Sequence, residues 1–319
     1  MATSPLVSVV LATYNRSQVL RHAVESVRRS TLADWELLVV GDHCTDDSAD
    51  VVASFADPRI RWTNLPANAG EQSVPNTAGM RQARGRYLAF LNHDDMYFPD
   101  HLASAVAWLG ESGADFVWSP LLVALPVGED DLHAGRWRFR LSGVPLGADY
   151  DPRVFVFASA WVMTRALADR VGAWRPARET YVTSSQDWLF RAWRSGARMR
   201  VTPGVTVLAV PASERRGSYL SAASPEHACY AGHMQDDPRF RDVALGLAAI
   251  EGERTSNRYR FGASWLEGAR ALAFRPIAAA AMALGQHPYA PLFALRHGRR
   301  GNVVSAIRRR SGLDRLARS

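Results

Sequence analysis

The sequence predicts an α/β chain built on a mostly parallel sheet flanked by helices, with a C-terminal helical extension. Three observations predict it. Short β-type apolar runs alternate with amphipathic helical stretches over the first 120 residues. Polar residues suited to chemistry cluster directly after several of those runs. After about residue 236 the chain turns rich in Ala and Arg and reads as mainly helical.

"LVSVVLA" reads as the first strand; no basic leader precedes it, and the apolar run from Leu6 to Ala12 is short for a signal peptide. "SQVLRHAVESVRRS" puts Val19, Leu20, Ala23, Val24 and Val27 on one face of a helix. "WELLVVG" and "RIRWTNL" read as the next strands, and "QSVPNTAGMRQARG" as a shorter helix ending at Gly85. "RYLAFLN" and "DFVWSPL" complete the strand set of this half. From 121 to about 160 the text is rich in Gly, Pro and Asp and offers at most short antiparallel strands. "SSQDWLFRAWRSGA" is a helix. The stretch from Trp265 to Gly301 begins as a helix and is interrupted by Pro276, Pro288 and Pro291. It reads as a helical pair packed on the rest with a solvated basic end; the alternative is a segment lying in a membrane interface, drawn by anionic headgroups. The expected division is a catalytic domain at 1–235, split into halves 1–120 and 121–235, and an extension at 236–319.

With 319 residues, 47% of them apolar, the chain can bury a full core. Cys44 and Cys229 are its only cysteines, which excludes a disulfide framework and points to a reducing compartment, the cytoplasm by default. No run of about 20 strongly apolar residues predicts a spanning helix. The net charge of +7 is located in residues 296–319, where eight Arg stand against one Asp, and the remainder is balanced. The basicity is therefore a tail rather than a nucleic-acid groove. Lys is absent throughout, which suggests a coding bias rather than selection for a basic residue at one site.

Three loops after strands gather polar residues: "TYNR" at 13–16, "GDHCTDD" at 41–47 and "NHDD" at 92–95. Parallel strands would bring all three to one sheet edge, where such folds bind ligands. Asp94 and Asp95 can offer oxygen to Mg²⁺ or Mn²⁺, hard ions that take one or two carboxylates plus phosphates. They can equally cap the helix begun by "FPDHLASAVAWL". His93 reads as a neighbour of the acids or a surface residue, since a hard ion prefers oxygen. No G-x-G-x-x-G follows the first strand, which disfavours a dinucleotide-dependent oxidoreductase.

"VSVVLATYNR", "LLVVGDHCTDDSADVV", "NAGEQSVPNTAG", "RGRYLAFLNHDDMYFPDHL" and "SSQDWLFRAWRSGA" stand in the order and spacing of family 2 glycosyltransferases. Over residues 5 to 210 the chain resembles that family, whose fold is of the GT-A type. The resemblance implies an inverting transferase that moves a sugar from a nucleoside diphosphate, with UDP expected, to an acceptor hydroxyl of a sugar, a lipid-linked or a small molecule. It implies that Ala12, Thr13 and Tyr14 line the nucleobase pocket, that Asp42 hydrogen-bonds the base, and that Asn76 and Asp94 belong to the nucleotide-sugar site. Asp95 becomes the expected ligand of Mg²⁺ or Mn²⁺, and Asp187 the base that withdraws the acceptor's proton. Ser184 followed by Asp187 also fits a helix-capping pattern. Asn92 and Gly41 stand where many members carry Asp, and Val74-Pro75 where Ala-Arg often stands. Those departures motivate the alternative of a nucleotide-sugar binding protein with impaired catalysis. Arg215, Arg216 and Tyr219 are candidate phosphate or acceptor contacts, set against a solvated loop. Trp188 can form a sugar platform, but a Trp on an amphipathic helix is more often core.

Overall fold

The structure, a computed structural model, describes residues 4–221, 224–258 and 264–316, and their side chains except at 257, 258 and 264–273. The opening side chains of the stretch from Trp265, Ala222 and Ala223 of the 213–233 segment, and the last three residues of the basic tail lie outside the described residues.

The first half runs strand, helix, strand: β1 (Val7–Thr13), α1 (Ser17–Arg28), β2 (Trp35–Gly41), α2 (Ser48–Ala53), β3 (Ile60–Asn64), α3 (Ser73–Gln82) and β4 (Tyr87–Asn92). The second half holds β5 (Asp95–Tyr97), α4 (His101–Ser112), β6 (Phe116–Trp118), β7 (Leu121–Ala124), α5 (Glu129–His133), β8 (Phe139–Ser142), β9 (Trp161–Thr164), α6 (Arg165–Val171), α7 (Ser184–Arg194), β10 (Met199–Val201) and β11 (Val207–Ala209). Five helices follow: α8 (Pro225–Asp236), α9 (Phe240–Arg258), α10 (Ser264–Ala283), α11 (Ala290–His297) and α12 (Asn302–Arg310).

Seven strands form one sheet in the order β10-β6-β9-β4-β1-β2-β3, in which only β9 runs against its neighbours. Every residue of β1 and β2 is buried, which is why both read as continuous apolar runs. α3 lies hard against β1. A Cβ on Gly79 would sit 2.3 Å from Val10 Cγ1, so the glycine sets how closely helix and strand approach.

A second sheet, β5-β11-β7-β8, stands beside the first. "DFVWSPL", expected as one strand, divides between the sheets, with β6 in the large one and β7 in the small one. Pro120 lies at the break, where a residue without an N–H cannot continue a ladder.

Packing crosses the division expected after residue 235. Met96, Leu122, Phe139 and Leu208 of the small sheet pack in one core with Tyr230 of α8 and Phe240, Ala244 and Ala248 of α9. The helical extension therefore starts inside the core of the preceding half. Among the described residues no helix is long and apolar enough to cross a membrane.

Candidate active site

Register decides whether the three polar loops meet. Thr13 pairs with Gly41 and Ala12 with Asn92, so β1, β2 and β4 end level with one another. Tyr14, Asp42 and Asp94 therefore emerge side by side. A cleft of about 270 Å³ opens there, lined by Ala12, Thr13, Tyr14, Asp42, Gly70, Glu71, Pro75, His93, Asp94, Asp95, Ser184 and Tyr219 among others.

The loops are cross-braced. Asn15 Oδ1 accepts from Thr45 N at 2.9 Å, Asp46 Oδ2 accepts from Ser17 N at 3.0 Å, and Asn15 N donates to Cys44 Sγ at 3.2 Å. Asn15, Arg16 and His43 hold left-handed backbone, with φ of 49°, 61° and 60°. Non-glycine residues in that region cost roughly 1–3 kcal/mol each and persist where surrounding contacts fix them, often at functional sites. Arg16 is 6% exposed, stands 5.2 Å from the Tyr219 ring centre, and leaves Nε and Nη1 without hydrogen-bond partners among the described residues.

Asp42 is buried and accepts from Ala69 N and Gly70 N, both at 2.8 Å. Burial raises its carboxyl above the usual range against those two amides. Each oxygen keeps a lone pair, so the group can still accept from a ligand.

The adjacent acids have unlike surroundings. Asp95 is 1% exposed; it accepts from Asn92 Nδ2 at 3.0 Å, from Val210 N at 3.2 Å, and from Ser159 Oγ. Burial, and then the charge of Asp94, push its carboxyl up to about 8. Asp94 is half-buried and accepts from Ala212 N at 2.7 Å through Oδ2. Its other oxygen meets no protein donor among the described residues, and His227 contacts its backbone carbonyl at 3.1 Å. Burial acts to raise Asp94, but His93, Arg16 and the Ala212 amide outweigh it and hold the group below the usual range. The repulsion between neighbours is thus met within the protein, which raises Asp95 and lowers Asp94.

A divalent ion was expected on Asp95, with Asp94 nearer the sugar; both line the cleft, Asp95 as the more buried and Asp94 as the more open of the two. The donor set suits an ion that takes one carboxylate and completes its shell with water and phosphate oxygens, and Asp94 has the open oxygen for it. Among the described residues no group of three or more His, Cys, Asp or Glu could hold a metal alone. His93 is buried rather than on the surface, and its Nε2 lies 3.3 Å from Tyr219 Oη.

Of the loop candidates at 215–219, only Tyr219 reaches the cleft, its ring 6.3 Å from that of Tyr14. Arg215 is spent on Glu226, through Nε and through Nη2 at 2.7 Å, and on the Pro211 carbonyl at 3.2 Å. Arg216 is exposed and does not line the cleft. Asn76, 3% exposed, sits on the inner side of α3, and Pro75 takes the cleft wall instead.

Trp188 is fully buried, stacked on Trp161 and Trp174 at 5.8 and 6.5 Å, with Nε1 donating to Gly172 O. It is core and offers no platform to a sugar. Asp187 is likewise placed away from the lining. Its Oδ2 accepts from Arg191 Nε at 2.9 Å, one helical turn on, and its Oδ1 lies 3.5 Å from Arg175 Nη1. At the N-terminal end of α7 the cleft is met by Thr183 and Ser184, and Ser184 Oγ donates to Glu71 at 3.0 Å.

Sequence reasoning missed Ser159, Glu71, Ser184 and the strip from Val304 to Leu313 as parts of this site. Ser159 lies in a single 3-10 turn, Ala158–Ala160, too short to carry a pattern of its own. Glu71 could have been noticed as an acid set between Gly70 and Ser73 directly before a helix.

The family model described as glycosyl transferase family 2 matches residues 8–172, about half of the chain. The chain is 31% identical over 113 residues, 35% of its length, to the UDP-Glc:alpha-D-GlcNAc-diphosphoundecaprenol beta-1,3-glucosyltransferase WfgD of Escherichia coli, covering 44% of that protein. It is 33% identical over 114 residues, again 35% of its length, to the putative teichuronic acid biosynthesis glycosyltransferase TuaG of Bacillus subtilis, covering 45% of it. The chain thus spans less than half the length of these relatives. Its fold is similar to that of S. aureus TarS residues 1–349 solved with UDP-GlcNAc, with a TM-score of 0.54 at 16% identity, over 85% of this chain and 79% of that one.

Proposed function

The chain belongs to glycosyl transferase family 2, and from that premise we propose that it transfers a sugar from a UDP-linked donor to an acceptor hydroxyl, with inversion. One observation carries the reading: the level ends of β1, β2 and β4 set Tyr14, Asp42 and Asp94 on the walls of a single cleft. Tyr14 offers a ring face to a base, Asp42 an acceptor to a base N–H, and Asp94 an open carboxylate oxygen at the diphosphate end. A divalent ion held there, Mg²⁺ or Mn²⁺, would neutralise charge on the departing diphosphate. UDP as the carrier is supported by relatives: WfgD is named for UDP-Glc, and TarS was solved with UDP-GlcNAc.

WfgD is also named for a diphosphoundecaprenol-linked acceptor, which makes a lipid-linked sugar the acceptor class to test first. Ile277 of α10, Leu284 in the turn after it, and Leu292 and Leu295 of α11 are exposed, and Arg296 and Arg299 stand close by in sequence, a composition suited to an anionic bilayer surface. Co-sedimentation with vesicles of anionic against neutral phospholipid checks that contact, and equal recovery with both would remove it.

The placement of Asp187 favours a second reading, a protein that binds the nucleotide-sugar without transferring it. Inversion needs a base on the face opposite the leaving group, and no carboxylate of α7 lines the cleft. Calorimetry with UDP-sugars and Mn²⁺, run beside a product assay on a lipid-diphosphate-linked sugar, separates the two readings. Binding with product establishes the transferase, binding without product the second reading, and no binding of any nucleoside diphosphate removes both.

A further inference from the structure

A segment remote in sequence covers the cleft. Residues 301 to 313 cross it as α12 and the turn after it, and Val304, Ile307, Arg308, Ser311 and Leu313 join its lining. The basic end was expected to be solvated; Arg309 and Arg310 are exposed, while Arg308, Ser311 and Leu313 line the cleft.

Backbone contacts fasten this strap at both ends. Gly301 N donates to Thr180 O at 3.0 Å before the helix; after it, Gly217 N donates to Arg310 O at 2.8 Å and Tyr219 N to Ser311 O at 2.9 Å. Gly301 and Gly312 have φ of 77° and 90°, and a Cβ on Gly312 would lie 2.8 Å from Leu220 Cγ. Such a conformation at such close approach admits glycine far better than any other residue.

Arg308 differs from the arginines beside it. Arg309 is exposed, and Arg310 reaches the Glu214 carbonyl at 3.3 Å. Arg308 turns inward. Its Nη1 donates to Gly70 O at 2.5 Å and its Nε to Asp314 O at 2.7 Å, both backbone carbonyls. Nη2 has no protein partner among the described residues, and no carboxylate among them lies within ion-pair distance of the guanidinium. The charge is felt across the cleft, since it acts to lower the carboxyl of Asp42. Asp42 does not neutralise it by contact: its oxygens accept from Ala69 N and Gly70 N, and among the described residues the guanidinium is in neither hydrogen-bond nor ion-pair contact with it.

A forked, uncompensated cation on the wall of a cleft suits a ligand with clustered anionic oxygens. We propose that Arg308 is a donor-binding residue, presented by the C-terminal strap, whose guanidinium takes phosphate oxygens of the nucleoside diphosphate. The assignment rests on the reading of the cleft as a nucleotide-sugar site. It gives the tail's charge a purpose at one position and leaves its outward arginines without one.

The test is calorimetry on the full chain with UDP, or with whichever of ADP, GDP and CDP it binds tighter, and then with the matching nucleoside. Arg308→Gln is expected to weaken the diphosphate by about tenfold to a hundredfold, the range of a charge-assisted hydrogen bond, and to leave the nucleoside unchanged. Arg308→Lys, which keeps a charge but not the fork, is expected to fall between. Arg309→Gln is expected to match the wild type, and thermal melts of all three confirm folding. Wild-type diphosphate affinity in Arg308→Gln overturns this assignment alone. An equal loss for diphosphate and nucleoside also overturns it, since Arg308 would then act through the shape of the strap. Failure of the wild type to bind any of the four diphosphates overturns the nucleotide-sugar reading, and this assignment with it.

Discussion

At the scale of single residues, Asp94 and Asp95 share a charge that neither could hold beside the other unaided. Asp95 is buried, supplied with three hydrogen-bond donors and kept at a raised value, whereas Asp94 retains an open oxygen toward the cleft. Asp94→Asn should therefore cut divalent-dependent turnover about a hundredfold or more, with little change in melting temperature. Asp95→Leu should lower stability by about 1–3 kcal/mol, since Asn92 Nδ2 and Val210 N lose their acceptor in a buried site. Denaturant titrations beside donor-hydrolysis rates check both, and an unchanged rate in Asp94→Asn would leave the cleft without its ion-holding group. Asp187 falls under the same logic. Paired with Arg191 and Arg175 away from the lining, it should yield a stability loss near 1 kcal/mol on Asp187→Asn while any turnover survives. A dead but fully stable variant would return it to the role of base.

Among the elements, close approach makes two positions sensitive. α3 carries Pro75 to the cleft and rests on β1 through Gly79, so Gly79→Ala forces a methyl into Val10 Cγ1 at 2.3 Å. Overpacking of this kind costs about 1–3 kcal/mol, and the displaced helix should also weaken nucleotide binding. The strap of α12 is held differently, by a few backbone contacts and two glycines rather than by a large core. Gly312→Val should release it without unfolding the sheet. Limited proteolysis should then cut within 300–316 at once while the melting temperature of the remainder holds; protection equal to wild type would show that the strap tolerates the change.

Across the whole molecule, burial of neutral histidines makes stability depend on pH. Burial pushes His101 down to about 3 from an unfolded value of 6.5, despite Asp100 beside it, and its Nδ1 lies 2.8 Å from Thr206 Oγ1. The folded value is the lower one, so the unfolded chain takes up a proton first as the medium turns acid. Stability is therefore intact above about pH 6.5 and falls toward pH 3, by at most about 1.4 kcal/mol per pH unit for this group. Asp42 and Asp95, held above their ordinary values, act in the opposite sense. Comparison of wild type with His101→Gln isolates the histidine: the variant should show the shallower decline between pH 6.5 and 5 in urea titrations. Parallel declines would mean that His101 is protonated in the folded state.

Local pattern determined the sheet-forming half of this protein. β1, β2 and β4 were legible because buried parallel strands must be continuous apolar runs, and α1 because its apolar face repeats at helical spacing. Their parallel order was enough to bring Tyr14, Asp42 and Asp94 together, since that placement follows from chain direction alone. Only the tertiary structure decided which carboxylate of the adjacent pair opens to the cleft, because Asp95 is claimed by Ser159 and Val210, 64 and 115 residues further on. The same holds for Asp187, whose partners Arg175 and Arg191 tie it down elsewhere, and for the charged tail, whose run of arginines carries no mark of the one that turns inward. Composition and periodicity report which face of an element is buried. Which side chains meet across the gaps between elements is set by packing, and no window of neighbouring residues contains it.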